Sequence, residues 1–169
     1  MKLLQLSERF LPFYGGVESA IHEISKRLVK DGFEVEVVCE REKGTPEKEV
    51  VDGIKIRRFR GFEPIQLKYH IGRVRPKMLR YAISSDSDII HAHSYGFFPT
   101  WISLFTKKPT IITTHSDPTA KIYWLWDLFR ALPVKVCNHV IATTKMEKHL
   151  RRSYGVVIDT GKSIQMYKT

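Results

Sequence analysis

Short runs of aliphatic and β-branched residues alternate with longer apolar stripes of helical period along this chain. That alternation constrains the fold more than any other feature: it is the pattern of βαβ units, with strands side by side in a parallel sheet and helices packed over it. Leu3-Leu4-Gln5-Leu6 reads as the first strand. Val17, Ala20, Ile21, Ile24 and Leu28 then recur at helical spacing, and Asp31-Gly32 supplies the glycine that ends a helix. Phe33 to Cys39 begins as an alternating strand, and Glu40 to Lys48 is a charged loop. Val50 to Phe59 reads as a short strand pair, or one strand entered through the Asp52-Gly53 turn. Leu67, Ile71, Val74, Met78 and Ala82 form a further helical stripe, which Gly72 and Pro76 must kink or split. Strands are expected over 88–92, 109–114 and 140–143, helices over 96–106, 122–136 and 145–154, and one more short strand over 156–158.

A chain of 169 residues, 43% hydrophobic and 27% charged, is sized for one domain with a real core. This composition excludes disorder, collagen-like repeats and a disulfide miniprotein. No apolar run approaches the roughly 20 residues of a membrane span. The segment from Met1 to Arg9 reaches charge too soon for a signal peptide, so a cytoplasmic location is expected. Cys39 and Cys137 form no C-x-x-C pair and are expected to be reduced and buried.

The charge balance is less ordinary: Lys and Arg number 28 against 18 Asp and Glu, a net charge of +10. Between residues 55 and 80 stand Lys55, Arg57, Arg58, Arg60, Lys68, Arg73, Arg75, Lys77 and Arg80, opposed in that stretch only by Glu63. Such a segment points to a surface that faces something anionic.

In a parallel sheet of this kind ligands bind beyond the carboxyl ends of the strands. Polar and glycine residues gather there: Pro12-Phe13-Tyr14-Gly15-Gly16 after the first strand, then His93-Ser94-Tyr95-Gly96, His115-Ser116-Asp117 and Thr143-Thr144-Lys145. Gly15-Gly16 lies at the start of a helix, where free N–H groups favour an anion and glycine admits it closely; equally, the pair could be a turn that needs positive φ. Glu18 either complements the helix dipole or accepts hydrogen bonds from a hydroxylated ligand. His91-Ala92-His93 puts two imidazoles on one side of a strand, and with His115 and Asp117 the ligand types suit a metal, but the spacing of metallohydrolases is missing. No metal is therefore expected. His91 reads as a hydrogen-bonded core residue, and His115, on the rim, as the group for binding or acid–base work. There is no G-x-S-x-G, no G-x-x-x-x-G-K-[ST], and no G-x-G-x-x-G after the first strand, so serine hydrolase, P-loop and ordinary dinucleotide readings lose their support.

Four segments in order carry a resemblance: Phe10-Leu11-Pro12-Phe13-Tyr14-Gly15-Gly16-Val17-Glu18 with its helix and Asp31-Gly32-Phe33-Glu34-Val35; Asp88-Ile89-Ile90-His91-Ala92-His93; Thr110-Ile111-Ile112-Thr113-Thr114-His115; and Asn138-His139-Val140-Ile141-Ala142-Thr143-Thr144. Over residues 1 to about 155 the chain resembles the N-terminal, acceptor-side domain of a GT-B fold glycosyltransferase of family 4, a group of retaining, metal-independent sugar transferases. The resemblance implies an α/β, Rossmann-like three-layer αβα domain with a mostly parallel sheet, one half of a GT-B fold, over 1–155. The tail 156–169 then falls where the interdomain linker would begin. It implies that Gly15 and Gly16, with Glu18, lie at the cleft against the donor's phosphates, that His115 lines the reaction centre, and that His93, Ser94, Tyr95 and Asp117 lie on the acceptor side. Its basic helix maps onto Arg73, Arg75, Lys77 and Arg80, by which some members dock on anionic membrane, so a peripheral place at the inner face of the membrane is also expected. A nucleotide-sugar would be the donor substrate, with no cofactor and no metal.

The sequence stops at Thr169 with no donor-binding half in view. The expectation is an acceptor-side half that is inactive without a separate donor-domain partner, or that self-associates through the open cleft face. The competing reading is a non-catalytic module for a sugar, phosphate or lipid head group, a remnant of a truncated enzyme. Nucleic acid, suggested by the basic stretch with Phe59, Phe62 and Tyr69, has no accompanying motif and is not expected.

Overall fold

The computed structural model describes residues 1–62, 74–94, 98–115 and 131–142. Strand β1 (Lys2–Leu6) leads into helix α1 (Gly16–Lys30), then β2 (Glu34–Glu40), a hairpin of β3 (Lys48–Val51) and β4 (Ile54–Phe59), and helix α2 (Pro76–Ser84). Strand β5 (Ile89–His93), a 3-10 helix (Phe98–Leu104), β6 (Thr110–Thr114) and β7 (His139–Ala142) follow, with residues 131–136 helical just ahead of β7. The strands form one sheet in the order β3-β4-β2-β1-β5-β6-β7. Every pairing is parallel except β3 with β4. The fold is thus the α/β, Rossmann-like arrangement expected from the alternation.

The period of two along each strand divides the core into two faces. Leu4, Leu6, Val38, Ile90, Ala92, Ile112 and Val140 meet Met78 and Ala82 of α2, Ile102 of the 3-10 helix, and Val134 and Cys137. Val35, Val37, Cys39, Ile54 and Ile56 meet Ile21 of α1, together with Phe10 and Leu11 from the loop after β1. Both cysteines are buried and unpaired with one another, and burial pushes the Cys39 thiol up to about 12 and Cys137 up to about 11.

The Asp-Gly turn makes the β3–β4 hairpin, with Asp52 and Gly53 both at positive φ (52° and 78°) as a tight hairpin requires. The stripe from Leu67 to Ala82 is helical from Pro76 onward, where proline opens α2. Its residues 67–73 lie outside those described, and Val74, expected on the helix, instead pairs with Phe62 in an antiparallel bridge. The helix expected over 96–106 is a 3-10 helix where it is described; Pro99 supplies no N–H, and Thr100 and Ile102 are β-branched. Of the helix expected over 122–136 the last turns are described; the helix over 145–154 and the strand over 156–158 lie outside the described residues. Among the described residues no helix is long and apolar enough to cross a membrane.

Candidate functional site

Strand order reverses between β1 and β5. From β1 the chain passes through α1 to β2 on one side, while β5 and β6 lie on the other. At such a switch point the loops after neighbouring strands part and leave a crevice beyond the carboxyl ends. The loop after β1, ending in Gly15-Gly16, and the residue after β5, Ser94, flank it.

The loop after β1 is held from below. Phe10 and Leu11 are buried, and the Glu40 amide donates to the Glu8 carbonyl at 3.1 Å. Two fully buried arginines complete the anchorage. Arg58 on β4 donates to the carbonyls of Leu11 and Pro46 and pairs with Glu49. Arg75, the residue capping α2, reaches Glu8 Oε1 and Oε2 through Nη1 and Nη2 at 2.9 Å each, and Glu40 through Nε at 3.2 Å and through Nη2. Arg75 was expected on an exposed anion-binding face and is instead 0% exposed. The reason is that its carboxylate partners come from β1's end and β2, remote in sequence. Lys77 and Arg80 are exposed on α2, whereas Arg73 lies outside the described residues.

The same redistribution thins out the basic segment as a whole. Lys55 pairs with Glu34, and Arg57 pairs with Glu36 at 2.9 Å beneath Tyr81. With Arg58 and Arg75, four of the nine cations named above are matched by carboxylates outside the segment or across the hairpin.

Gly15 is the N-cap of α1, extended at φ −99°, and contributes no side-chain cap, leaving the helix to begin on bare backbone. The Glu18 carboxylate folds back over Gly15, where a Cβ would meet only that movable group. A Cβ at Gly16 would meet nothing within 4 Å. Neither packing nor positive φ therefore requires glycine at these two positions. Space stands open over the backbone at Gly16, where α1 presents its positive end, while the Glu18 carboxylate lies over Gly15.

Across the crevice Ser94 sits at φ 77°, in the left-handed region that non-glycine residues seldom occupy, with its amide bonded to the Thr113 carbonyl at 3.0 Å. His115 follows β6 and is half-buried. Its Nε2 lies 3.2 Å from His93 Nδ1. His93 was expected to line the acceptor side of the rim; it is 0% exposed, shut into the sheet behind His115 because β5 is flanked by β1 and β6 and faces α1. Its Nε2 is 2.8 Å from Gln5 Oε1 on β1. Gln5 Nε2 in turn is 2.7 Å from Ser25 Oγ on α1. His91, a core residue as expected, bonds Thr113 Oγ1 at 2.6 Å. Burial pushes the His91 imidazole down to about 4 and holds His93 well below its ordinary range, so both are neutral near pH 7.

Tyr95 and Asp117 lie outside the described residues. Among the described residues no three His, Cys, Asp or Glu side chains are grouped as metal ligands. Gln5, Ser25 and Glu8 do not stand out in the sequence, and Arg58 does so only as one cation of the basic segment. The available signal was polarity in apolar places: a glutamine inside a leucine strand, and a serine on the buried stripe of α1 between Ile21 and Leu28. A wide, open depression of about 720 Å³ also lies at the loop after β2, lined by residues 40–46 with Arg60 and Gly61.

The family model described as Glycosyltransferase Family 4 matches residues 14–160, spanning α1, the buried histidines of β5 and the rim histidine after β6. The chain belongs to glycosyltransferase family 4. Among solved structures, this family 4 chain is similar to sucrose-phosphate synthase from Thermosynechococcus elongatus, with a TM-score of 0.73 at 15% identity. That match covers 95% of this chain and 48% of the other, so the chain spans about half the length of the structure it resembles. A second, shorter solved chain under the same enzyme name matches at TM-score 0.60 and 15% identity, covering 95% of this chain and 90% of that one. These likenesses establish the shared GT-B type Rossmann-like fold. No curated protein sequence matches.

Proposed function

We propose that this family 4 chain is the acceptor-side half of a glycosyltransferase, which moves a sugar from a nucleotide-sugar donor to a glycan, lipid-linked or phosphorylated acceptor. The observation that carries the reading is the open backbone at Gly16, next to Gly15 with the movable Glu18 carboxylate folded over it: glycines that neither packing nor conformation requires, at a capless helix start beside the strand-order switch. A leaving phosphate placed there would meet N–H donors and the helix dipole as its charge develops. His115, with Ser94, would then face the sugar and acceptor hydroxyls, and Glu18 would accept from a hydroxyl at the helix start.

Glycosyl transfer also needs the acceptor positioned in a closed, dry cleft, and one wall cannot enclose a substrate. The chain therefore works with a donor-binding domain that supplies the other wall. The test is transfer from a panel of sugar nucleotides by the chain alone and with a family donor-binding domain added. Transfer that appears only with both present supports the reading. Binding of sugar phosphates by calorimetry without transfer under either condition would replace it with a non-catalytic binding module.

A further inference from the structure

We propose that Ser25, Gln5 and His93 form a directional hydrogen-bond chain that fixes the tautomer of His115, placing its proton on Nε2 and leaving Nδ1 as the acceptor that its surroundings meet. The direction follows from the one atom in the chain that can only accept. Ser25 Oγ lies 2.7 Å from the Ile21 carbonyl, one helical turn back, and must donate to it. Having given its proton there, the hydroxyl accepts from Gln5, so the Gln5 nitrogen faces Ser25 and the Gln5 oxygen faces His93. An amide oxygen accepts, so His93 carries its proton on Nε2. Because burial keeps His93 neutral, its Nδ1 holds a lone pair. His115 Nε2, 3.2 Å away, must then be the donor.

Reversing the chain would turn the Gln5 amide over and forfeit the bond from Ser25 to Ile21. His91 does not compete, although its ring centroid lies 4.1 Å from that of His93, because its Nε2 is engaged by Thr113. Ser25, Gln5 and His93 are thus positioning residues. They hold one His115 nitrogen against the core and commit the other: neutral His115 accepts at Nδ1, and protonated His115 donates from it. The use of that atom on a substrate hydroxyl rests on the functional reading above; the tautomer itself does not.

Two-bond proton–nitrogen correlation spectra of the full chain, labelled with nitrogen-15 histidine at pH 7.5, test this directly. His93→Gln and His115→Gln identify the two rings by the signals they remove. Expected are a protonated Nε2 and a bare Nδ1 in both rings, in about fivefold excess, as one net hydrogen bond implies. A predominant Nδ1–H form of His115 overturns the proposal. Ser25→Ala, a small deletion, frees the Gln5 amide to turn and should move His115 toward a mixture of tautomers; an unchanged His115 tautomer in the folded variant would show that the direction is not set from Ser25. Failure of the transfer assay with the expected spectra would count against the functional reading alone.

Discussion

Replacing Arg75 with methionine keeps the length of the side chain and removes its charge. The guanidinium makes four hydrogen bonds to two carboxylates, Glu8 and Glu40, whose side chains are 24% and 9% exposed. Taking away one partner of a buried ion pair costs about 3–5 kcal/mol, mostly because the remaining charge stays out of water without its counterion. For a chain of this size that corresponds to a drop of roughly 6–20 °C in melting temperature. The assay is urea and thermal unfolding followed by circular dichroism, with Lys77→Met, an exposed neighbour, expected to stay within about 0.5 kcal/mol of wild type. Adding Glu8→Gln and Glu40→Gln to Arg75→Met should recover part of the loss, since the uncompensated charges disappear. If Arg75→Met unfolds together with Lys77→Met, Arg75 is a surface cation after all and the anchorage of the glycine loop is wrong.

Stability should also fall on acidification. The fold holds His91 at about 4 against an ordinary value of 6.5, so between those values the unfolded chain binds more protons and stability drops as pH is lowered through that window. With His93 shifted in the same direction, the chain should be about 2–4 kcal/mol less stable at pH 5 than at pH 7 in urea titrations; equal values would mean that both imidazoles charge inside the fold. Cys39 and Cys137, buried and with raised thiol pKa values, should react with a disulfide reagent at pH 8 only after denaturant is added, and prompt reaction of the native chain would contradict their burial. If the exposed cations of α2 serve an anionic surface, Lys77→Glu with Arg80→Glu should abolish co-sedimentation with acidic vesicles while leaving the melting temperature unchanged; undiminished co-sedimentation would remove α2 from that role.

The strands and α1 are legible in the sequence because apolar period reports directly which face of an element is buried. Leu3 to Leu6 and Val35 to Cys39 contain their own answer; on α1 the stripe places Ile21 in the core, but Ile24 is 39% exposed and the polar His22 and Ser25 are buried instead. Charge does not behave this way. Arg75 looks like part of a basic surface because Glu8 and Glu40 are more than thirty residues away along the chain, and only the order of strands brings them together. The histidines fall between the two cases. Spacing puts His91 and His93 on one side of β5, but that both are buried there depends on the neighbouring strands and helix, and Gln5 gains its meaning only from its contact with His93, remote in sequence. The glycine pair was ambiguous in sequence, since a turn at positive φ and a close ligand approach call for the same residue. The observed φ of −99° at Gly15 and the open space above Gly16 favour close approach.

Gly16→Ala therefore bears most directly on the central claim that these glycines serve a ligand and not the fold. The measurement is the rate of glycosyl transfer by the Gly16→Ala chain, reconstituted with a donor-binding domain, beside its melting temperature. The melting temperature should equal or exceed wild type, because a Cβ there touches nothing within 4 Å and alanine narrows the freedom of the unfolded chain. Transfer should fall at least about tenfold, since a charge-assisted hydrogen bond to a displaced phosphate is worth about 1.5–3 kcal/mol. A stable Gly16→Ala chain that transfers as fast as wild type would contradict the claim.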